Sequence, residues 1–304
     1  MKLVFAGTPQ LAADALADVA KHHEVVLVLT MPDSPVGRKR VLTPTPVATQ
    51  ADLLGLPVRK MRKFDDAIVQ EISTVGAEAG VVVAFGALIP RAALALFRWL
   101  NLHYSLLPNW RGASPLQHSI LFGTGQGLTI FELDEGMDTG HILATEAMAY
   151  EPDQTAGELL PIVTQAGIVR LLEVLETRPE PRAQQGEATF APKISRQDAR
   201  LNFEDEADFN HRKVMAFNPE PMAWCEISGE PMRVLRSRSL GSTNWDGLGG
   251  SDLAPGELEL SQGRLLACCA NGTRLELVEV QPAGKKPMGA VAWFRGQGPG
   301  VKLD

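Results

Sequence analysis

The feature that most limits the fold of this chain is an alternation in its first half. Short apolar runs rich in β-branched residues, over 3–6, 24–29 and 80–85, are separated by stretches with helical spacing. Further strand candidates lie at 100–103 and 128–133. Strands that alternate with helices pair in parallel, because each crossover returns the chain to the same end of the sheet. The fold class expected is therefore α/β, with a mostly parallel sheet covered on both faces. The 80–85 run, apolar throughout, fits a strand buried on both sides. Thr8 is expected to cap the first helix and Pro9 to sit in its first turn. Leu11, Ala15, Leu16 and Val19 then follow at helical spacing. Sheets of this kind bind ligands beyond the carboxyl ends of their strands, so polar residues there draw attention.

The rest of the chain has other textures. Residues 30–47 hold four prolines, a glycine and three basic groups and read as an exposed loop rather than a strand or helix. Residues 154–176 read as a helix. The stretch 178–200 is rich in Pro, Gln, Arg and Gly and looks like a linker. After a helix signal that ends near Phe217, five alternating runs follow, near 222–228, 231–240, 255–261, 264–270 and 274–281. They are punctuated by Ser228-Gly229, Gln262-Gly263 and Asn271-Gly272. Five short strands in so few residues suit a small barrel or sandwich. The division expected is a first domain over 1–190, a linker over 191–205 and a second domain over 206–304.

Composition removes some classes. No apolar run approaches the ~20 residues that span a bilayer, so no membrane partner is expected. The three cysteines, Cys225, Cys268 and Cys269, are an odd number with two adjacent, a poor disulfide framework. A reducing cytoplasm is the expected location. The net charge of −7 argues against nucleic acid in bulk, but residues 31–64 carry seven basic groups against two acidic ones, a local balance of +5. Screening confines such fields to about 8–10 Å, so a basic cluster can attract phosphates on an acidic protein; a solvated face explains it equally well. No heptad occurs, and a monomer is expected.

The dense region is 101–140. Singly, Asn101, His103 and Asp138 have ordinary structural roles. Together they suggest chemistry. Asn101 and His103 are two apart, so on a strand both face one crevice. An amide and an imidazole suit a carbonyl oxygen that gains charge, and a carboxylate can orient the imidazole. Asp138 follows the 128–133 run and can return to the same pocket. There is no G-x-S-x-G elbow, no H-E-x-x-H, no C-x-x-C and no Walker loop, so serine and zinc hydrolysis are poorly supported. No metal is expected.

Asn101-Leu102-His103, then Ser105-Leu106-Leu107-Pro108, then Asp134-Glu135-Gly136-Met137-Asp138-Thr139-Gly140 resemble the active-site signature of the folate-dependent formyltransferases. Trp110-Arg111-Gly112-Ala113-Ser114-Pro115 with Gln117 points to the branch of that family that acts on charged tRNA. So do Phe5-Ala6-Gly7-Thr8-Pro9, Pro32-Asp33-Ser34-Pro35-Val36-Gly37-Arg38, Ala216-Phe217-Asn218-Pro219 and Gln281-Pro282-Ala283-Gly284-Lys285-Lys286. The resemblance covers nearly the whole chain. It implies a Rossmann-like formyltransferase domain followed by a small OB-like β-barrel that helps to hold tRNA. It implies 10-formyltetrahydrofolate as co-substrate and initiator methionyl-tRNA as acceptor, in translation initiation. Asn101, His103 and Asp138 would be catalytic. Phe85, Gly86, Leu88, Ile89, Ser105, Leu106, Leu107 and Pro108 would line the folate site. Arg38, Lys39, Arg40, Gln117, Lys285 and Lys286 would meet the tRNA. The chain departs from the family at Tyr104, where a small residue is usual, at Phe85 and Glu220, and in a shortened segment before Asn101. Sugar-nucleotide and other amine N-formyltransferases share the core and remain an alternative, as does a non-catalytic tRNA-binding protein of this fold.

Overall fold

The computed structural model describes residues 1–37, 39–240, 253–297 and 301–304. They form two compact units: residues 1–115, 125–149 and 161–191 make the first, and residues 116–124, 150–160 and 192–304 the second.

The first unit is built on a seven-stranded sheet. From edge to edge its strands are Ile142–Ala147, Gly127–Glu132, Arg98–His103, Ala79–Val83, Lys2–Gly7, Glu24–Thr30 and Val58–Lys60. The last five pair in parallel, and the first two run antiparallel. The mostly parallel α/β sheet thus follows from the apolar runs. Leu3, Val4, Phe5, Val28, Leu29, Val81, Val83 and Ile130 have no exposed surface, so helices or loops cover both faces. The strand Val58–Lys60 was not anticipated: it is a three-residue edge strand with two charged residues, too short and polar to show a period.

Two local expectations are corrected. Thr8 does not cap the first helix, Gln10–His22. Pro9 occupies the cap without a side-chain bond, and the Thr8 hydroxyl donates to the Phe85 carbonyl at 2.8 Å. The Thr8 side chain is turned to a tertiary carbonyl and away from the amides of its own helix. The stretch 30–47 is not all loop: Ser34–Val36 pairs antiparallel with Val41–Thr43 across a turn closed by Arg40 N–H on the Gly37 carbonyl at 3.1 Å. Thr45 then caps the helix Pro46–Leu53, accepting from Ala48 N–H at 3.1 Å, with Pro46 in its first turn. The hairpin follows the carboxyl end of strand Glu24–Thr30 in the chain and leaves Val36, Val41 and Leu42 exposed.

The second unit carries an antiparallel sheet in the order Trp224–Ile227, Glu230–Leu240, Arg274–Pro282, Arg264–Cys268, Leu258–Ser261, with Met288–Gly289 also paired to Arg274–Pro282. Ser228-Gly229 and Gln262-Gly263 both have two positive φ values, the geometry of a two-residue hairpin turn whose twist matches its strands. Register shifts around Arg236 bend the eleven-residue strand, and the sheet curls. Residues 302–304 stitch its two edges: Leu303 N–H donates to the Gly256 carbonyl at 2.9 Å, and Asp304 exchanges two bonds with Glu226 at 3.0 Å each. The result is a small OB-like barrel. The helix Ala207–Phe217 buries Val214, Met215, Ala216 and Phe217.

Among the described residues no helix is long and apolar enough to cross a membrane.

Candidate active site

Strand Arg98–His103 is the platform. Its odd and even side chains part as a period of two requires. On one side, Leu102 packs so closely on Gly167 that a Cβ there would lie 2.5 Å from Leu102 Cδ1. Tyr104, one residue past the strand, reaches the same helix, Ala156–Thr177, where its hydroxyl pairs with Thr164 Oγ1 at 3.2 Å. Burial pushes the Tyr104 phenol well above its ordinary pKa. The family's small residue is therefore replaced by a ring that fills space behind the sheet, not beside Asn101 and His103. Those two occupy the opposite side. Asn101 is partly exposed, and its amide makes no hydrogen bond among the described residues. His103 is buried, 4 % exposed, with its ring edge-on to Phe131 at 6.0 Å.

The bonds around His103 fix its tautomer. Nε2 lies 3.0 Å from the Trp110 carbonyl, which can only accept, so Nε2 carries the proton. Nδ1 keeps its lone pair and lies 3.8 Å from Asp138 Oδ2. Burial lowers the His103 pKa below 6.5; the Asp138 charge and the Trp110 carbonyl pull the other way. At neutral pH the ring is uncharged and Nδ1 is free to take a proton.

Asp138 reaches this position because the loop between Gly127–Glu132 and Ile142–Ala147 turns back over the sheet. Asp134 Oδ1 ties that loop internally, accepting from Gly136 N–H at 3.0 Å and the Thr139 hydroxyl at 2.6 Å. Asp138 itself has φ 53, a left-handed backbone unusual for a side-chain-bearing residue. Its Oδ2 accepts the Gly112 N–H at 2.8 Å. Gly112 has φ 130, and a Cβ on it would lie 2.5 Å from the Ala191 carbonyl, so only glycine brings this amide so close to strand Phe190–Ala191.

The other residues singled out from the sequence are placed as follows. The loop that carries Phe85, Gly86, Leu88 and Ile89 leaves strand Ala79–Val83 at its carboxyl end, the end that also bears His103. Leu88 is 89 % exposed, whereas Phe85 packs in the core edge-to-face with Phe64. A Cβ on Gly86 would meet nothing within 4 Å. Ser105 is buried, with its hydroxyl on the Asn109 carbonyl at 2.6 Å. Leu106 is partly exposed, Leu107 packs with Phe131 and Ile142, and Pro108 follows a cis bond. Lys39 and Arg40 are exposed at the hairpin tip, and Arg38 lies outside the described residues. Gln117 is in helix Pro115–Phe122; Lys285 and Lys286 are exposed just after strand Arg274–Pro282. Among the described residues no cluster of three or more His, Cys, Asp or Glu is placed to hold a metal ion.

Sequence reasoning missed the backbone of Trp110 and Gly112 as partners of His103 and Asp138. It also missed the stretch behind them. Residues 182–191 are not a free linker: Arg182 exchanges bonds of 2.8 and 2.9 Å with Ile142, Thr189 accepts from Trp110 and Arg111 N–H at 2.9 Å each, and Ala191 accepts from Ala113 N–H at 2.8 Å. No period or motif in that stretch announces this.

Comparison with known proteins agrees with this architecture. Residues 1–175 match the family described as formyl transferase, and residues 193–298 match the formyl transferase C-terminal domain. The methionyl-tRNA formyltransferase of Clavibacter sepedonicus is 39% identical over 304 residues, 97% of each chain. That of Acidothermus cellulolyticus is 40% identical over 330 residues, 100% of each chain. HypX from Aquifex aeolicus, solved in complex with tetrahydrofolic acid, superposes with a TM-score of 0.62 at 18% identity, over 97% of this chain and 46% of that one. This chain thus spans about half of HypX, and the likeness concerns the fold. With both domains matched and full-length identities of 39% and 40%, the chain belongs to the formyl transferase family, among the methionyl-tRNA formyltransferases.

Proposed function

We propose that this chain transfers the formyl group of 10-formyltetrahydrofolate to the α-amino group of initiator methionyl-tRNA, in the cytoplasm, by direct attack of the amine. The observation that carries the chemistry is the meeting of three groups: the unengaged Asn101 amide, the Nδ1 lone pair of His103, and Asp138 Oδ2 at 3.8 Å from it.

Each group has a distinct task. The Asn101 N–H donates to the formyl oxygen as that oxygen gains charge. His103 Nδ1 takes the proton that the amine sheds on attack, directly or through a water. Nδ1–H then faces the Asp138 carboxylate while Nε2–H stays on the Trp110 carbonyl, so both protons of the imidazolium are met. When the bond between the formyl carbon and N10 of the folate breaks, the Nδ1 proton passes to N10, tetrahydrofolate leaves and His103 is neutral again. An α-amine with a pKa of about 7.7–8.0 is largely protonated at neutral pH, so a proton acceptor matters. No residue is positioned by motif as a covalent nucleophile, and none is needed, because the formyl donor is already an activated amide.

The residues at the carboxyl end of the sheet suit a folate. Exposed Leu88 and partly exposed Leu106 offer apolar contact to an aromatic ligand, and the space beside Gly86 leaves room for it. The buried Phe85, Ser105 and Leu107 support this wall from behind. For contact with tRNA we assign Lys39 and Arg40 of the hairpin, Arg38 by its position in the sequence, and, in the second unit, Gln117, Lys285 and Lys286. The apolar hairpin walls with a basic tip fit an acceptor end, where phosphates flank stacked bases.

The test is a formylation assay with charged initiator tRNA and 10-formyltetrahydrofolate, run beside free methionine and a sugar-nucleotide amine. Formylation of the charged tRNA alone is expected. Turnover only with the sugar nucleotide would move the chain to the other amine branch, and tRNA binding without turnover would make it a binding protein.

A further inference from the structure

Three consecutive residues each hold one part of the site. The Trp110 carbonyl takes the His103 proton, and the Gly112 N–H takes the Asp138 carboxylate. Between them, the Arg111 guanidinium points elsewhere: Nε and Nη2 donate to Gln184 Oε1 at 3.1 and 2.7 Å. Gln184 turns its other end to the catalytic loop. Its Nε2 donates to the carbonyls of Asp138 and Gly140, at 2.8 Å each. Every polar position of the amide is used, and its orientation is forced, since a flipped amide would set donors against the guanidinium and an oxygen against two carbonyls.

We infer that Gln184 is a positioning residue for the reaction: its amide, oriented by Arg111, holds the left-handed backbone of Asp138 so that the carboxylate stays on Gly112 and faces His103. The inference rests on the proposed roles of His103 and Asp138. A merely structural task, fastening 182–191 to the rest of the first unit, does not need Gln184. Arg182, Thr189 and Ala191 make that attachment by their own bonds to Ile142, Trp110, Arg111 and Ala113. What Gln184 alone supplies is a pair of donors to the loop that carries Asp138. A left-handed φ at a non-glycine residue is strained and persists only where the surroundings over-determine it. Two bonds to the carbonyls at and just beyond that residue are such a determinant.

The experiment is steady-state kinetics on Gln184→Leu, which keeps the size and removes both donors, with Arg111→Met as a second variant that removes only the orienting group. Expected for Gln184→Leu is a kcat lowered roughly 10- to 100-fold, the scale of an ångström-level misplacement. KM for both substrates should stay within about two-fold, as for a group that acts in the transition state. Arg111→Met should fall short of that loss. Among the described residues Asp138 is the one charged group that acts on His103. Freeing it should therefore move the acid limb of the kcat profile to lower pH, toward that of Asp138→Asn, which a loss of folded protein would not do. Wild-type kcat and an unmoved limb in Gln184→Leu, with Asp138→Asn strongly impaired, would overturn this inference alone. Wild-type rates in Asp138→Asn and His103→Ala would overturn the reading on which it rests.

Discussion

His103 and Asp138 face each other without sharing a hydrogen bond: Nδ1 and Oδ2 are 3.8 Å apart, while the carboxylate is held by the Gly112 amide at 2.8 Å. The carboxylate therefore acts on the ring through its charge, and the ring is oriented from its far side by the Trp110 carbonyl. Such a pair is poised to gain a proton: a lone pair faces a negative charge at 3.8 Å, and protonation turns the mismatch into an ion pair.

Asp138→Asn should lower kcat by about 10²–10³ and leave tRNA affinity little changed, since the Asn oxygen can still accept from Gly112. The pH profile gives the sign. His103 works neutral, and its pKa is already lowered by burial and raised only in part by Asp138. Activity should fall as the pH drops through that lowered value, and the Asn variant, lacking the raising charge, should lose activity at a still lower pH. Initial rates from pH 5 to 8 check this; a limb that moves upward would contradict it.

Acid stability should have a histidine component in the second unit. His211 is buried: Nε2–H donates to the Pro152 carbonyl at 3.1 Å, Nδ1 accepts from the Ser237 hydroxyl at 3.0 Å, and desolvation lowers its pKa. A lowered folded pKa gives stability that is complete above the unfolded value of 6.5 and lost as the pH falls below it, by at most about 1.4 kcal/mol per pH unit for one group. Thermal melts of the wild type and His211→Gln between pH 7.5 and 5 should show a shallower acid decline in the variant. Parallel curves would remove His211 from the account.

Tyr104 should matter for stability and little for turnover. Its ring is 8 % exposed and packs behind the sheet. Tyr104→Ala should destabilise by about 3–5 kcal/mol, as other large aromatic truncations do. Tyr104→Phe should lose only about 1 kcal/mol, the bond to Thr164. Denaturant unfolding measures both. A rise in kcat or a several-fold change in KM for Tyr104→Ala at permissive temperature would place the ring in the pocket after all.

Lys39→Ala with Arg40→Ala should weaken binding of the charged tRNA and flatten its salt dependence. If each cation neutralises one phosphate, the slope of log K against log salt should lose about 0.9 per residue on duplex. At saturating tRNA, kcat should hold. Filter binding from low to high salt distinguishes this from a solvated face, for which the slope would not move.

Much of this was legible in the sequence because it depends on local patterns. The apolar runs at 3–6, 24–29 and 80–85 read as buried strands, and Ser228-Gly229 and Gln262-Gly263 as tight turns between strands, whereas Asn271-Gly272, of the same kind, lies in a 3-10 turn. The two-residue spacing of Asn101 and His103 set both on one face, and the same rule sent Leu102 and Tyr104 to the other. The family followed from motifs spread along the whole chain.

The remainder was decided by contacts between distant segments. Thr8 could have capped its own helix, but a carbonyl 77 residues away took its hydroxyl. Residues 182–191 have the composition of a linker, yet they pack behind Trp110–Gly112, and Gln184 meets Asp138 across 46 positions. Residues 302–304 close the barrel by pairing with Glu226 and Gly256. A sequence specifies which side of an element is apolar and where the chain can turn, because those preferences act within a few residues. Which donor meets which acceptor across tens of residues is settled only when the burial of those elements brings the backbones together. The side chains proposed for the site could therefore be named from the sequence, while the amides and carbonyls that hold them appeared only with the fold.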